Sequence, residues 1–254
     1  MSAKSNVIAI DIGNSRIKLL RDTKLVAFEY NNAFENLLFE YFQKCNSNNI
    51  LIYSSVNSDI EKVLLNIVSK FSFPISCASD ALKFQKLVKH YRIQGMGTDR
   101  LMGIFGALSS TRPPLITVDC GTAVTINAID GHFNCIGGAI LPGIQTQLWS
   151  LKQRTAKLKP DSINSKTSPA GTNTKDAISS GVIYGITGAI KEIIERISKE
   201  YFESEVIQIY ITGGSAEIIL PYVLEYYSAI KHSPELVCKG LIYLSELTGN
   251  KINL

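Results

Sequence analysis

One pattern occurs twice in this chain and restricts the fold more than any other feature. Val7-Ile-Ala-Ile is an apolar, branched run that stops at Asp11-Ile-Gly-Asn-Ser, and Leu115-Ile-Thr-Val stops at Asp119-Cys-Gly-Thr-Ala. Runs of this kind read as buried strands. The Gly that follows each Asp supplies a tight turn. A second strand follows each turn, over Arg16 to Leu20 and Thr122 to Ile129. The two aspartates stand 108 positions apart, about one small domain. The chain therefore reads as a duplicated strand–hairpin–helix unit, with halves at 1–114 and 115–254 parted at Arg112-Pro-Pro.

Further elements fit each half. Leu25 to Tyr30 reads as a third antiparallel strand and Ile50 to Ser54 as a short buried one. Asn32–Lys44, Asp59–Lys70, Ser79–His90 and Thr98–Ser109 are predicted helices. In the second half Asp130-Gly131 signals a hairpin turn, Phe133 to Ile136 a third strand, and Val206 to Ile211 a strand ending in Thr212-Gly-Gly. Gly137 to Gly143 reads as a loop of close approach. Gly181, Gly185 and Gly188 share one helix face. Glycines there cost about 1 kcal/mol each against Ala, which another backbone packed close by would explain, within the subunit or across a dimer.

The hairpins suit phosphate. A Gly after a strand lets backbone N–H groups approach an anion. Asn14 and Ser15 add neutral donors, and Lys18 points either to the anion or to solvent. An Asp at a strand end can hold Mg²⁺, directly or through water. Two such hairpins facing across a cleft would clamp a polyphosphate from both sides. The chain contains no P-loop and no helix-opening Rossmann fingerprint. A third element, Gly95-Met-Gly-Thr-Asp99-Arg100, opens a helix with Thr98 as its expected cap. Asp99 then lies in the first turn, where the helix dipole keeps a carboxylate ionised. It can accept a hydrogen bond from a substrate hydroxyl. A weak base suffices, because phosphoryl transfer needs an oriented nucleophile more than a deprotonated one. Arg100 offers a fork to a carboxylate or phosphate. The same Asp–Arg pair would equally serve to trim a helix start. Gly213-Gly214 admits a flat ligand such as adenine, or makes a plain strand-to-helix turn.

Composition excludes other classes. The net charge is +4, and the basic stretch Lys152, Arg154, Lys157, Lys159, Lys166 reads as a solvated loop and helix end, or as electrostatic help in drawing in an anionic substrate. A nucleic-acid binder would carry a denser stripe. Five well-separated cysteines argue against disulfides and zinc and for a reducing, cytoplasmic setting. The first apolar stretch is too short for an export signal. No run approaches the roughly 18–20 apolar residues of a membrane span.

Taken together, the segments resemble the type III pantothenate kinases, in order and over most of the chain. They are Asp11-Ile-Gly-Asn-Ser-Arg-Ile-Lys, Gly97-Thr-Asp-Arg, Asp119-Cys-Gly-Thr-Ala, Gly137-Gly-Ala-Ile-Leu-Pro-Gly, Arg154-Thr-Ala-Lys-Leu, Gly171-Thr-Asn-Thr and Ile211-Thr-Gly-Gly. The resemblance implies an α/β fold, the duplicated actin-like (RNase H-like) fold of the acetate and sugar kinase, heat-shock ATPase and actin superfamily. Two similar halves would carry mixed sheets flanked by helices. It implies ATP-dependent phosphorylation of pantothenate, the first step of coenzyme A synthesis. Asp99 would be the general base. Asp11, Ile12, Gly13, Asn14, Ser15, Arg16, Ile17, Lys18 and Thr122 would bind ATP. Tyr91, Gly97, Thr98, Asp99, Arg100 and Thr174 would bind pantothenate. Asp119 would hold a monovalent cation, K⁺ or NH₄⁺, and Asp11 would bear on Mg²⁺. A homodimer is implied, without nucleic acid or membrane partners. The segment from Tyr91 to Asp99 lacks the Asn-Pro pair that many members carry. Two alternatives share the fold: a non-catalytic nucleotide- or pantothenate-binding regulator, and a sugar kinase. A nuclease of RNase H-like topology fits less well, since the hairpins are rich in glycine.

Overall fold

The structure is a computed structural model and describes residues 6–89, 96–202 and 206–249. β1 (Val7–Ile12), β2 (Arg16–Arg21) and β3 (Lys24–Glu29) open the chain, followed by α1 (Phe34–Gln43), β4 (Ile50–Ser55), α2 (Ser58–Val68), β5 (Ile75–Cys77), α3 (Ala78–Ala81) and α4 (Thr98–Leu108). The order then restarts with β6 (Leu115–Cys120), β7 (Ala123–Ile129) and β8 (Cys135–Pro142). After these come α5 (Ile144–Arg154), α6 (Thr174–Tyr201), β9 (Gln208–Thr212), α7 (Ala216–Val223), β10 (Ile230–His232) and α8 (Leu236–Leu247).

The chain divides into two compact units, Met1–Thr111 with Glu235–Leu254, and Arg112–Pro234. A division at 114/115 places α8 with the second half; its contacts place it in the first unit. Each unit contains one five-stranded sheet, in the orders β3-β2-β1-β4-β5 and β8-β7-β6-β9-β10. These are one topology. In both, an antiparallel meander is joined through its first strand to two parallel strands. Parallel neighbours require a crossover, supplied by α1 and α2 in the first unit and by α5, α6 and α7 in the second.

In the first unit Ile8, Ile10 and Ile12 alternate onto one sheet face, where they pack with Ile17, Leu19 and Leu51 against Phe34, Leu38 and Phe42 of α1 and Leu64 of α2. Asn57 caps α2 by accepting the Ile60 N–H at 3.2 Å. α8 packs on β1 and against α4. Gly106 and Gly240 allow the α4–α8 crossing: a Cβ on either would overlap backbone of the other helix.

In the second unit Ile116, Val118, Val124, Ile126 and Ile211 face α6 and α7. α6 is the one described helix long and apolar enough to cross a membrane by length and composition. Its Val182, Ile186, Ile190 and Ile194 belong to this unit's core, and Lys191–Glu195 and Arg196–Glu192 ion pairs line its outer side. It is built as a core helix.

Three local expectations change. Of the helix expected over 79–90, whose last position lies outside the described residues, only α3 and a 3-10 turn at Leu82–Phe84 form among the described ones. The Gln85 side chain bonds both the N–H and the carbonyl of Val88, replacing helical bonds there. The strand expected over 133–136 begins at Cys135, because Asp130 Oδ1 accepts the N–H groups of His132 and Asn134 and holds the turn. The loop expected over 137–143 is most of β8, with Gly138 lying so close to β7 that a Cβ would overlap the Ile126 carbonyl.

Candidate active site

The first hairpin sits at the end of β1. Ile12 pairs with Ile17, leaving residues 13–15 as the loop. Gly13 N–H donates to the Arg16 carbonyl at 3.1 Å. Asn14 and Ser15 are exposed at the tip. Ile12 and Ile17 are fully buried, so only their backbone groups can serve a ligand. Asp11 pairs with Lys18 across the antiparallel strands, and paired residues share a sheet face. This settles the direction that alternation left open: Lys18 lies on the side of Asp11. Tyr30, just after β3, donates its hydroxyl to the Gly13 carbonyl at 2.8 Å. Burial, and then the charge of Asp11, raise its phenol pKa. The phenol therefore stays a donor.

Asp99 lies in the first turn of α4, in the same unit. Thr98 is the first helical residue and does not cap; Gly97 is the N-cap, with no side-chain bond. The start is closed by Asp99 itself, whose Oδ1 accepts the Arg100 N–H at 2.8 Å. A Cβ at Gly97 would strike that same oxygen. Burial raises the Asp99 pKa, against the Arg100 N–H and the Arg100 charge, which lower it. The helix start was expected to leave Asp99 a weak base; burial instead moves its pKa upward, past the lowering by Arg100. Thr98 and Arg100 are half-buried beside it. Tyr91 lies outside the described residues.

The second hairpin repeats the first with a tighter loop. Cys120 pairs with Val124, and only residues 121–122 separate β6 from β7. The Thr122 carbonyl accepts from Gly143 N–H at 3.0 Å and from the Thr146 hydroxyl at 2.6 Å, both at the start of α5. A Cβ at Gly143 would overlap the carbonyls of Gly121 and Thr122. Asp119 pairs with Thr125 on β7 and Thr212 on β9. After Thr212 the chain turns at Gly213, with φ +99°, where a Cβ would meet Asp119 Oδ1 and the backbone of Cys120. Only glycine brings the β9 turn this close to the carboxylate.

Thr174 is exposed at the first position of α6, behind the Asn173 cap, whose Oδ1 accepts the Asp176 N–H at 3.0 Å. A cavity of about 720 Å³ in this unit is lined by Ser165, Lys166, Thr167, Glu217, Pro221 and Tyr222 among others. None of the residues predicted for the site lines it. A Cβ built on Gly181, Gly185 or Gly188 meets nothing within 4 Å. No close approach within the described residues therefore explains these glycines.

Among the described residues no cluster of three or more His, Cys, Asp or Glu could hold a metal alone. The donor set suits a different arrangement. Mg²⁺ at a nucleotide takes one or two carboxylates and completes its shell with water and phosphate oxygens. A single strand-end Asp beside a glycine turn, found in each unit, fits that demand.

The architecture is the actin-like ATPase fold. The chain is similar to the crystal structure of a conserved Baf family protein of Campylobacter jejuni, described as a transcriptional activator, with TM-score 0.63 and 23% identity over 96% of this chain and 99% of that one. An archaeal actin homologue matches with TM-score 0.52 and 12% identity, covering 94% and 98% of the two chains. The sequence is more specific. The profile of the type III pantothenate kinases matches residues 7–196, and the chain belongs to that family. A type III pantothenate kinase of Synechococcus elongatus is 39% identical over 151 residues, 59% of this chain and 60% of that one. One of Francisella tularensis is 47% identical over 124 residues, 48% of each chain. That of Dictyoglomus turgidum is 29% identical over 94% of this chain and 98% of its own. The matched stretch thus spans about 60% of the Synechococcus relative and about half of the Francisella one.

Proposed function

We propose that this protein phosphorylates pantothenate at the expense of ATP, giving 4'-phosphopantothenate for coenzyme A synthesis. The observation that carries the reading is the duplicated strand-end aspartate hairpin, at Asp11 and Asp119, inside a chain of the pantothenate kinase family. On this reading backbone N–H groups of residues 12–17 with Asn14, Ser15, Arg16 and Lys18 bind ATP, and Thr122 does so as well. Gly97, Thr98, Arg100 and Thr174 hold pantothenate, Arg100 by its carboxylate.

Asp99 accepts the proton of the pantothenate hydroxyl. The oxygen bonds to the γ-phosphorus, the bond from that phosphorus to the β-bridging oxygen breaks, and ADP leaves. A carboxyl whose pKa is raised by burial is better matched to this transfer than an exposed aspartate. Asp11 would hold Mg²⁺ and Asp119 a monovalent cation; bound there, such ions neutralise charge on the transferring phosphoryl group. The open glycine face of α6 favours a homodimer packed through that helix. All five cysteines are free thiols, in keeping with a cytoplasmic setting.

The test is ADP release in a coupled assay with Mg²⁺ and K⁺, offering pantothenate and a panel of sugars. Turnover is expected with pantothenate. Turnover with glucose and none with pantothenate would replace this reading by a sugar kinase. Nucleotide binding without turnover on any acceptor would make the chain a regulator.

A further inference from the structure

Among the described residues, five buried hydroxyls have no hydrogen-bond partner: Ser54, Ser76, Thr187, Thr212 and Ser233. Such a group costs about 1–3 kcal/mol and calls for a reason. Two of the five occupy the same place in the two units. Ser54 is on β4, the parallel neighbour of β1, in register with Asp11. Thr212 is on β9, the parallel neighbour of β6, in register with Asp119. Each is essentially inaccessible, at 0% and 1% exposure. Residues in register on neighbouring strands point to the same face, with backbones about 5 Å apart. Each strand-end carboxylate therefore has a buried, unbonded hydroxyl beside it, one strand away.

We propose that Ser54 and Thr212 are positioning residues for Asp11 and Asp119, donating to the carboxylate once its other oxygen is engaged at the phosphate site. A carboxylate has two oxygens and about four acceptor positions. When one oxygen serves a cation or its water, a neutral donor on the other fixes the plane of the group without neutralising it. Outer partners of this kind hold metal-binding carboxylates in orientation. The hydroxyl's lost hydrogen bond in the free chain is an instance of local stability given up at a functional site. The lysine and threonine on the other side of each carboxylate, Lys18 and Thr125, complete matching rows of three: Lys18–Asp11–Ser54 and Thr125–Asp119–Thr212.

This rests on the kinase reading, and calorimetry on the whole chain separates the two. Mg·ADP is titrated into wild type, Thr212→Val, Thr212→Ser and Ser54→Ala, with thermal midpoints of the free proteins recorded alongside. Thr212→Val keeps shape and β-branching and removes the hydroxyl. The expected result is binding weakened about 10–100-fold, an unchanged or raised midpoint without ligand, and near-normal binding in Thr212→Ser. Ser54→Ala is expected to behave like Thr212→Val. Unchanged affinity in both hydroxyl-free variants overturns the proposal while the kinase reading stands. A Thr212→Val chain that loses stability or fails to fold makes that hydroxyl structural, overturns its half, and leaves Ser54→Ala to decide the other. A wild type that binds no Mg·ADP overturns the kinase reading and this proposal with it.

Discussion

The two units share one sheet topology and one hairpin, yet differ in what surrounds the aspartate. Asp11 has a lysine in register on one side and a three-residue loop beyond it, whose Gly13 carbonyl accepts from a tyrosine hydroxyl. Asp119 has threonines in register on both sides and a two-residue loop held twice by the start of α5. The first unit also carries a second carboxylate, Asp99, whose burial raises its pKa. Duplication supplied two matching hairpins, and on the proposed reading the flanking residues divide the work between them. An acid with a lysine beside it suits contact with phosphate, where the ammonium is a point charge for the anion. An acid flanked by hydroxyls keeps its charge for a cation and offers it further oxygens.

The sharpest way to break this division is to remove the acid that has no counterpart. Asp99→Asn is expected to lower kcat by about 10²–10⁴-fold while Mg·ATP binding, measured by calorimetry, stays near wild type. Equal loss of binding and turnover would assign Asp99 to the nucleotide and collapse the contrast between units. The sign of its pKa shift gives an independent check. A carboxyl raised in the fold adds stability at low pH that is lost as pH rises through its folded pKa. Asp99→Asn removes a buried charge at pH 7, so its thermal midpoint should lie at or above wild type there. The gap should close as pH falls and Asp99 protonates. The kcat/KM of wild type should fall on the acid side at a pH above that of an ordinary aspartate. A midpoint gap that widens on acidification would contradict the assigned desolvation.

Next in size is the exchange of roles between the hairpins. Asp119→Asn should abolish the rise of rate with K⁺ and cost about 10–100-fold at saturating K⁺. Asp11→Asn should instead shift the Mg²⁺ dependence and keep the K⁺ response. Matching profiles for the two variants, in rate assays over both ions, would show that the flanking residues do not distinguish the units.

The parts legible in the sequence were those written locally. An apolar run, an Asp and a Gly lie within seven residues, so both hairpins and the duplication could be read directly. What depends on register could not. Ser54 follows its aspartate by 43 residues, and Thr212 follows its own by 93, because α5, α6 and the loop between them are inserted in the second half. Spacing alone therefore hides that the two hydroxyls are equivalent; only the strand order reveals it. Asp99 stands out in the sequence by its motif, but its burial does not, since burial is set by packing and the helix dipole by sequence position. Tyr30 was missed because its partner is a backbone carbonyl 17 residues away. An aromatic residue closing a meander beside a glycine loop was the available signal. The assignment of α8 to the first unit has a trace in Gly240, which needs the close backbone of α4.

The smallest effect tests how firmly each loop is held. Tyr30→Phe keeps the ring, which meets Phe34 edge-on with centroids 5.0 Å apart, and removes only the hydroxyl that grips Gly13. The loss should be about 1 kcal/mol, or ~2–4 °C in thermal midpoint for a chain of this size. The Gly13 carbonyl then loses this donor, so the KM for ATP should rise severalfold with kcat little changed, the mark of weakened ground-state binding. Thr146→Val makes the parallel cut in the second unit. There Gly143 N–H still donates to the Thr122 carbonyl, and the loop is one residue shorter. Its midpoint and KM should move less than those of Tyr30→Phe. A larger response from Thr146→Val would reverse the order: the tighter hairpin would then be the one that depends on a single hydroxyl, and loop length would not be what separates the two cradles.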